Sequence, residues 1–380
     1  MDASTCYCRS RSCVLYGHSG RWAQLCPRGT HRHAPRFECG ACGHLVFART
    51  GTAYAGIRVE EATYRMGAKL LAEGLAIRAT ARLLEVDKDT VCGGLPGLGQ
   101  HCARVMAYHF RHLHLTECQL DELWTFVYKK EEHLDPIERL VGVYGDAWIW
   151  VAFAPISKLV PAWVVGKRTL GNAKLLVKRL RSTTDGHIPL FTSDDLPHYA
   201  HALLDEYGVR VTLPRKPGPG RPPLPRKVPP EDLLYAVIVK RRENGHLEEV
   251  SSHIVYGTPQ QIAAAIEASP VSATISTYGV ERNNLTIRQH SRRTGRRVNA
   301  FSKERDYLEY QLTLSFAYYH FVIPHRGLRQ RLEQPVPTNG LKGSPKKWQE
   351  RTPAMAAGLT DYIWTMDELL SFRVPPKSMW

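Results

Sequence analysis

The sequence lacks any apolar run that approaches the roughly 18 residues needed to span a bilayer, so we expect no membrane partner. Its first residues, Met1 to Cys6, lack the charged and apolar regions typical of a signal peptide. Acidic residues are also few: 36 Asp and Glu stand against 51 Lys and Arg, leaving a net charge of +15. We therefore expect an intracellular, cytoplasmic protein with a polyanionic partner.

Cysteine is scarce beyond residue 42, because six of the nine cysteines lie within the first 42 residues. In a reducing compartment such clustering indicates metal binding before disulfides. Four of them form two closely spaced pairs: Cys8 with Cys13, and Cys39 with Cys42. This spacing is typical of a zinc ribbon, in which four thiolates hold one structural Zn²⁺, and we place it in residues 1–60. Cys6 and Cys26 remain alternative ligands, and a cluster of free thiols is the alternative to zinc.

Residues 61–110 carry apolar side chains at helical spacing. Gly74 ends one predicted helix, a second spans Ile77 to Leu84, and Asp89 is the expected cap of a third. This order predicts a helix-turn-helix DNA-binding region, with DNA contacts from Arg78, Lys88 and Thr90. The glycines and proline at positions 93–99 predict that the recognition helix is short or broken after one turn. A plain helical connector is the alternative.

From Asp121 onward the pattern is that of an α/β domain, assigned to residues 118–330. The predicted strands are Leu123 to Val127, Val141 to Phe153, Leu159 to Val165 and Ile188 to Ser193. The predicted helices are Leu170 to Leu180 and Leu196 to Tyr207. Three meandering strands, a helix, a fourth strand and a helix match the order of an RNase H-like core, a mixed sheet with flanking helices.

The proline- and arginine-rich stretch at 214–230 predicts a linker, since these residues form neither helix nor sheet. Its Gly-Arg-Pro centre, at Arg221, resembles an AT-hook that enters the minor groove. A stiff basic spacer is the alternative. Two predicted strands and a capped helix, within 233–268, then form an insertion that spans about 210–270. A C-terminal tail occupies 331–380.

Three acidic residues fall in informative places: Asp121 opens the first strand, Asp194 follows the fourth, and Glu281 lies on a basic helix that begins near Val280. In an RNase H-like fold the first and fourth strands are neighbours, so the carboxylates converge. Carboxylate oxygens suit Mg²⁺ or Mn²⁺, and two such ions can hold a scissile phosphate between them. The sequence predicts Asp121 as the bridging ligand, with Asp194 and Glu281 as flanking ligands.

Other acids compete for these roles. Glu122 follows Asp121 directly, and the period of two in a strand sends it to the opposite face. Asp195 is an alternative to Asp194 as the second ligand. Asp185 precedes the strand, where a turn fits better.

The helix that carries Glu281 and the residues after it are strongly basic, which suits a DNA backbone passing beside the site. The expected DNA contacts are Arg282, Asn284, Arg288, Arg292, Arg293, Arg296 and Arg297. A solvated charged face is the alternative.

Several segments resemble one family. They are Asp121-Glu-Leu-Trp-Thr-Phe-Val, the Ser193-Asp194 strand end with Pro197 and Tyr199 after it, the stretch from Val280 to His290, and Phe301-Ser-Lys. Together with the order of ribbon and helices, they resemble the bacterial insertion-sequence transposases of the "IS one" type over roughly residues 8–330.

The resemblance implies a transposase that cleaves and transfers the terminal inverted repeats of its own element. Asp121, Asp194 and Glu281 match the family's acidic triad, and Asn284 matches an auxiliary polar position. Two Mg²⁺ or Mn²⁺ ions, double-stranded DNA and a homo-oligomer are implied. The alternatives are a nuclease of the same fold, which cleaves without joining, and a zinc-dependent DNA-binding regulator with a vestigial core.

Overall fold

The structure is a computed structural model of the chain. It describes residues 3–31, 34–212, 224–244, 246–295, 298–338 and 343–376. The chain forms two compact units. The first combines the N-terminal part up to His109 with residues 306–323 and those from Tyr362 onward, and the second combines Phe110–Arg305 with Pro324–Asp361.

A small antiparallel sheet opens the first unit. Its strands, in the order β1-β2-β3, are β1 (Leu25–His31), β2 (Ala34–Cys39) and β3 (Leu45–Phe47). Strands β2 and β3 form an antiparallel hairpin, with Cys39 and Cys42 at its turn. A buried cluster of Cys6, Phe37, Val46 and Ala48 packs within this region. So few apolar side chains stabilise a fold weakly, and a segment of this kind needs an additional link such as a metal ion.

Three helices follow: α1 (Glu61–Ala72), α2 (Ile77–Leu84) and α3 (Lys88–His109). The bounds of α2 are those predicted from the sequence. It ends at Glu85, whose left-handed φ of 55° turns the chain. The predicted cap of α3 was wrong by two residues, because Asp87 Oδ1 accepts a hydrogen bond from the backbone N–H of Asp89 at 2.7 Å.

The expectation that α3 would be short or broken was also wrong, because the helix runs through 22 residues with Pro96 inside it. Two of its glycines lie at close packing contacts. A Cβ added at Gly94 would lie 3.0 Å from the ring of Tyr64, and one added at Gly99 would lie 2.6 Å from Cα of Tyr310. Burial of the helix around Leu95 and Leu98 outweighs the low helix propensity of these residues.

The second unit is a layered α/β domain. Its elements up to residue 290 are β4 (Glu117–Val127), α4 (Pro136–Val141), β5 (Gly145–Ala154), β6 (Leu159–Gly166), α5 (Leu170–Arg181), β7 (Leu190–Asp194), α6 (Pro197–Tyr207), β8 (Val209–Val211), β9 (Arg226–Val228), β10 (Tyr235–Glu243), β11 (His246–Tyr256), α7 (Pro259–Glu267) and α8 (Tyr278–His290). The predicted strands and helices are therefore present, with ends shifted by a few residues.

A six-stranded mixed sheet forms the centre of this unit, in the order β11-β10-β7-β4-β5-β6. Strands β4, β5 and β6 are an antiparallel meander, whereas β7 pairs parallel with β4. Leu120 pairs with Ser193 in that register. The next residues along the two strands, Asp121 and Asp194, are therefore neighbours on the same face of the sheet.

The segment predicted as an insertion contributes a strand to the sheet itself. β10 pairs parallel with β7, with Tyr235 opposite Phe191 and Ile238 opposite Asp194, and β11 completes the edge. The sequence pattern of β10 does not reveal that it joins the central sheet, because a strand of a separate hairpin and a strand of the central sheet have the same alternation of apolar and polar residues. Of the predicted linker at 214–230, residues 214–223 lie outside the described residues. The expectation that it forms no sheet was wrong for its end, because Arg226–Val228 form β9, which pairs antiparallel with β8.

The remaining elements are α9 (Arg305–Phe321), β12 (Gln330–Val336), β13 (Lys346–Gln349), α10 (Pro353–Ala356) and α11 (Met366–Ser371). Residues 306–323, which the sequence assigned to the 118–330 region, pack in the first unit. Part of the predicted tail does too, because His101 Nε2 donates to Leu369 O at 2.9 Å. Across the described ranges, every helix is too short or too polar to cross a membrane.

Candidate functional site

Four cysteines in the first unit converge as the sequence predicted. The sulfur atoms of Cys8, Cys13, Cys39 and Cys42 all lie within 4.8 Å of one another. The Sγ–Sγ distances are 3.6 Å for Cys8 and Cys42, and 3.7 Å for Cys13 and Cys39. A tetrahedral zinc ion with bonds of about 2.3 Å separates its sulfurs by about 3.8 Å. The cluster therefore fits a structural zinc ion.

The other nearby cysteines do not join this group. Cys6 is buried in the small apolar cluster with Phe37, and Cys26 is exposed on β1. Burial raises the pKa of Cys39, but backbone hydrogen bonds from Ala41 and Cys42 outweigh it and lower the pKa to about 7.

Two of the three predicted acids meet at the C-terminal end of β7, a central strand of the large sheet. Asp194 is the last residue of β7, and Glu281 lies in the first turn of α8. Thr277 Oγ1 lies 3.2 Å from Asp194 Oδ1 and 2.8 Å from Glu281 Oε1. Lys240 Nζ donates to both carboxylates, at 3.0 Å to Asp194 Oδ1. These contacts hold the two acids together across 87 positions of sequence, from 194 to 281.

The third acid, Asp121, lies within β4 beside this pair. Glu122 N donates to Asp121 Oδ1 at 2.8 Å, and Asn284 Nδ2 donates to Asp121 Oδ2 at 2.6 Å. Burial, together with the negative charges of Glu122, Asp194 and Glu281, raises the pKa of Asp121 to about 7. Asp121 therefore belongs to the same electrostatic cluster, in which negative charge is in excess.

The start of α8 is fastened directly to the two central strands. Gln119 Nε2 and Thr192 Oγ1 both donate to the carbonyl of Ser276, at 2.9 and 3.2 Å. The N–H of Val280 in turn donates to Gln119 Oε1 at 2.8 Å. A Cβ added at Gly279 would lie 2.6 Å from that same oxygen, so glycine permits the close approach. The sheet thereby fixes the position of Glu281.

The competing acids have other partners. Glu122 lies on the opposite face of β4, as predicted, where it accepts hydrogen bonds from Tyr199 at 2.9 Å and from Arg168. Asp185 is in a turn, where it pairs with His114 at 2.8 Å. Asp195 is exposed, and the contacts to Lys240 and Thr277 are made by its neighbour Asp194.

The predicted DNA-contacting residues on α8 and beyond divide into two kinds. Arg282 and Arg292 are exposed. Arg288 instead donates to the carbonyl of Thr294 at 2.6 Å, and Arg293 donates to Ser302 Oγ at 3.1 Å, so one guanidinium group holds local backbone and the other a side-chain hydroxyl. In the first unit, the predicted contacts Arg78, Lys88 and Thr90 are exposed, although Lys88 pairs with Asp89. Arg221, Arg296 and Arg297 lie outside the described residues.

Lys240 and Thr277 are site residues that the sequence reasoning missed. Lys240 follows the apolar run Tyr-Ala-Val-Ile-Val, and Thr277 precedes Glu281 by one helical turn. Neither pattern marks the residue as part of a site, because the contacts depend on how β10 and α8 pack beside β7. Within the described ranges, only the cysteine cluster brings three or more candidate metal ligands within 4.8 Å of one another. The carboxylates of Asp121, Asp194 and Glu281 are farther apart, and the ammonium group of Lys240 lies between two of them.

The sequence was also compared with known proteins. No protein-family model and no curated protein sequence matches it.

Proposed function

We propose that the chain is a transposase of the acidic-triad class, which cleaves the ends of an insertion sequence and joins them to target DNA. The observation that carries this proposal is the convergence of Asp121, Asp194 and Glu281 at one edge of the central sheet. Asp194 and Glu281 share Thr277 and Lys240 as partners, and Asp121 is coupled to both by charge.

The strand order supports an RNase H-like core for this enzyme. Such a core has three antiparallel strands in a meander, followed by parallel strands added beside the first of them. Here β6, β5 and β4 form the meander, and β7 and β10 continue in parallel from β4. The first and fourth strands of the core are therefore neighbours, which is the arrangement that a metal-binding acid pair requires.

The donor set fits divalent cations. Asp121, Asp194 and Glu281 offer carboxylate oxygens, the ligands that Mg²⁺ and Mn²⁺ prefer. Burial, and after it the negative charges of the neighbouring carboxylates, raise the pKa of Asp121, and a bound cation would offset both effects. The buried carbonyl oxygen of Asn284 accepts no hydrogen bond from the described residues. When bound, two such ions supply activation of a water or 3′-hydroxyl nucleophile and stabilisation of the leaving oxygen.

The protein's own groups orient these ligands. Asn284 fixes one oxygen of Asp121 through its side-chain amide, and Thr277 links the other two carboxylates. Exposed Arg282, in the same turn of α8 as Glu281, would bind the DNA backbone and offset the negative charge of the site. The side chains therefore position the ligands and hold the substrate, leaving the phosphate chemistry to the metal ions.

The first unit supplies a second set of DNA-binding features. Helices α1, α2 and α3 follow the order of a helix-turn-helix, with exposed Arg78, Lys88 and Thr90 at the α2 and α3 ends. The cysteine cluster fits a zinc ribbon that would steady this region. We propose that these elements bind the terminal inverted repeats and that the protein acts as a homo-oligomer on paired ends.

A strand-transfer assay tests the function. The zinc-loaded protein is incubated with Mg²⁺, a supercoiled plasmid and a labelled duplex that carries the repeat found beside the gene. We expect labelled plasmid to form with the wild-type chain. With Asp121→Asn we expect no labelled plasmid, while gel-shift binding of the same duplex is retained.

Other outcomes identify the alternatives. Cleavage of the duplex without any joined product would indicate a nuclease of the same fold. Specific binding that needs zinc, with neither cleavage nor joining in the wild type, would indicate a DNA-binding regulator. Either result would overturn the transposase proposal.

A further inference from the structure

Lys240 brings a positive charge into the carboxylate site. Its Nζ lies 3.0 Å from Asp194 Oδ1 and 3.2 Å from Asp194 Oδ2, and it also donates to Glu281 Oε1. Thr277 Oγ1 lies 3.4 Å away. With 24% of its side chain exposed, Lys240 is much less open to water than Asp194 or Glu281, each at 45%.

The position of Lys240 follows from the sheet. β7 ends at Asp194, which is opposite Ile238, whereas β10 continues to Glu243. Because side chains alternate along a strand, Lys240 lies on the same face as Ile238. The strand thus extends past the end of its neighbour and delivers the lysine to the acids.

The ammonium group uses the carboxylate oxygens that a divalent cation would use. An ammonium held at contact distance from Asp194 and Glu281 would repel a second cation bound between them. Metal binding therefore requires that Lys240 move away from at least one of the two acids.

We propose that Lys240 is an internal counter-ion, which neutralises Asp194 and Glu281 in the metal-free protein and is displaced when a divalent cation binds. This inference rests on the proposed metal-dependent function. The exchange breaks and forms only ion pairs: the lysine keeps its proton, and its flexible four-carbon stem lets the ammonium swing out of the site. Lys240 would then lower the metal affinity of the enzyme.

Metal binding to lysine variants tests the exchange. Binding of Mn²⁺ to the zinc-loaded full chain is measured by electron paramagnetic resonance of the free ion, without DNA. We expect Lys240→Met to raise the affinity on the order of tenfold, because the competing charge is gone. Lys227→Met is the matched control. The Nζ of Lys227 lies 2.9 Å from Asp205 Oδ1 and contacts none of the three acids, so this variant should leave the affinity unchanged.

A second measurement uses the wild-type chain and so does not depend on the folding of a variant. Acetylation of lysines is followed by mass spectrometry with and without Mg²⁺. We expect the modification of Lys240 to increase several-fold when Mg²⁺ is added, while that of Lys227 stays constant. Equal modification of Lys240 in both conditions would overturn the displacement.

The two proposals fail in different ways. If Mn²⁺ binds wild-type and Lys240→Met chains equally, the counter-ion role is wrong and the metal-dependent function stands. If neither chain binds Mn²⁺, both the counter-ion role and the proposed metal chemistry are wrong. Binding by Lys240→Met that exceeds binding by the wild type supports the exchange.

Discussion

Asp121 is subject to two opposing demands. Burial beside three other carboxylates favours its protonated form, whereas binding a cation requires the carboxylate. Asn284 and the N–H of Glu122 donate to its two oxygens and so favour the charged form, but they do not offset the burial. Without a bound cation, the charged form of Asp121 is therefore unfavourable, and a divalent cation would stabilise it.

The raised pKa of Asp121 predicts that the stability of the folded chain depends on pH. The pKa of Asp121 is about 7 in the folded chain against 3.8 ordinarily, so between these values the folded state keeps a proton that the unfolded state has lost. Stability from this group is therefore lost as pH rises from about 4 to about 7. We expect Asp121→Asn to stabilise the chain at about pH 8 by on the order of 2–4 kcal/mol without added Mg²⁺, and by about 1–2 kcal/mol at about pH 5, where the folded state has kept its proton and the unfolded state has already lost most of its own.

Urea unfolding of zinc-loaded protein at both pH values measures the effect. Asp185→Asn is the matched control, because the hydrogen bond from His114 lowers the pKa of Asp185, so neutralising it should give no gain at high pH. Equal stability of wild type and Asp121→Asn at about pH 8 would contradict the prediction.

The sequence predicted the element that carries each acid: Asp121 on the first strand of the α/β domain, Asp194 at the end of the fourth, and Glu281 on a helix that is otherwise basic. The prediction that Asp121 opens its strand was wrong, because β4 begins at Glu117 and Asp121 lies inside it. Lys240 was not predictable, because its contact with Asp194 depends on the parallel pairing of β10 with β7. Such pairing joins residues 46 positions apart, and no local pattern specifies it.

At the scale of elements, α3 shows how packing overrides local propensity. Its glycines are unfavourable in an isolated helix, but two of them, Gly94 and Gly99, face atoms of Tyr64 and Tyr310 that leave little or no room for a methyl group. Gly99 and Gly93 differ in this respect: a Cβ at Gly99 would lie 2.6 Å from Tyr310, whereas one at Gly93 would meet no atom within 4 Å. Sequence alone gives both residues the same helix penalty.

This difference predicts opposite effects of the same substitution. We expect Gly99→Ala to destabilise the first unit by about 1–3 kcal/mol, because the helix must move away from Tyr310. We expect Gly93→Ala to stabilise it by about 0.5–1 kcal/mol, because alanine favours helix and finds open space. Thermal unfolding of the two variants checks the pair, and a loss of stability with both would refute the packing argument.

We expect the small sheet of β1, β2 and β3 to be stabilised by a zinc ion held in the cysteine cluster more than by its few buried apolar side chains. We expect Cys39→Ser to reduce bound zinc by at least about tenfold at limiting metal, since one of four thiolates is lost. Cys26→Ser should retain about one zinc per chain, because Cys26 is exposed and outside the cluster. Metal analysis of both reduced proteins gives the measurement, and equal zinc contents would exclude the assigned ligand set.

For the molecule as a whole, the net charge of +15 concerns partners more than fold. Some of the positive groups already have partners within the protein, because Arg288 donates to a backbone carbonyl and Arg293 to a side-chain hydroxyl. The exposed Arg282 and Arg292 are the described arginines around α8 that are best placed for DNA phosphates. Exposure, and not the arginine count alone, therefore determines which charges would release counterions on binding.

DNA affinity should accordingly fall steeply with salt, with each phosphate contact adding about 0.9 to the slope of log K against log salt. We expect the double variant Arg282→Ala/Arg292→Ala to reduce the magnitude of the slope by about 2. Lys174→Ala is the control, because Lys174 lies on the other side of the sheet from the acids. It is on α5, which packs against α6, and Tyr199 of α6 contacts Glu122 on the opposite face of β4. Fluorescence anisotropy over a salt series gives the three slopes. Since counterion release counts phosphate contacts directly, an unchanged slope in the double variant would remove α8 from the DNA path even if the chain still binds DNA.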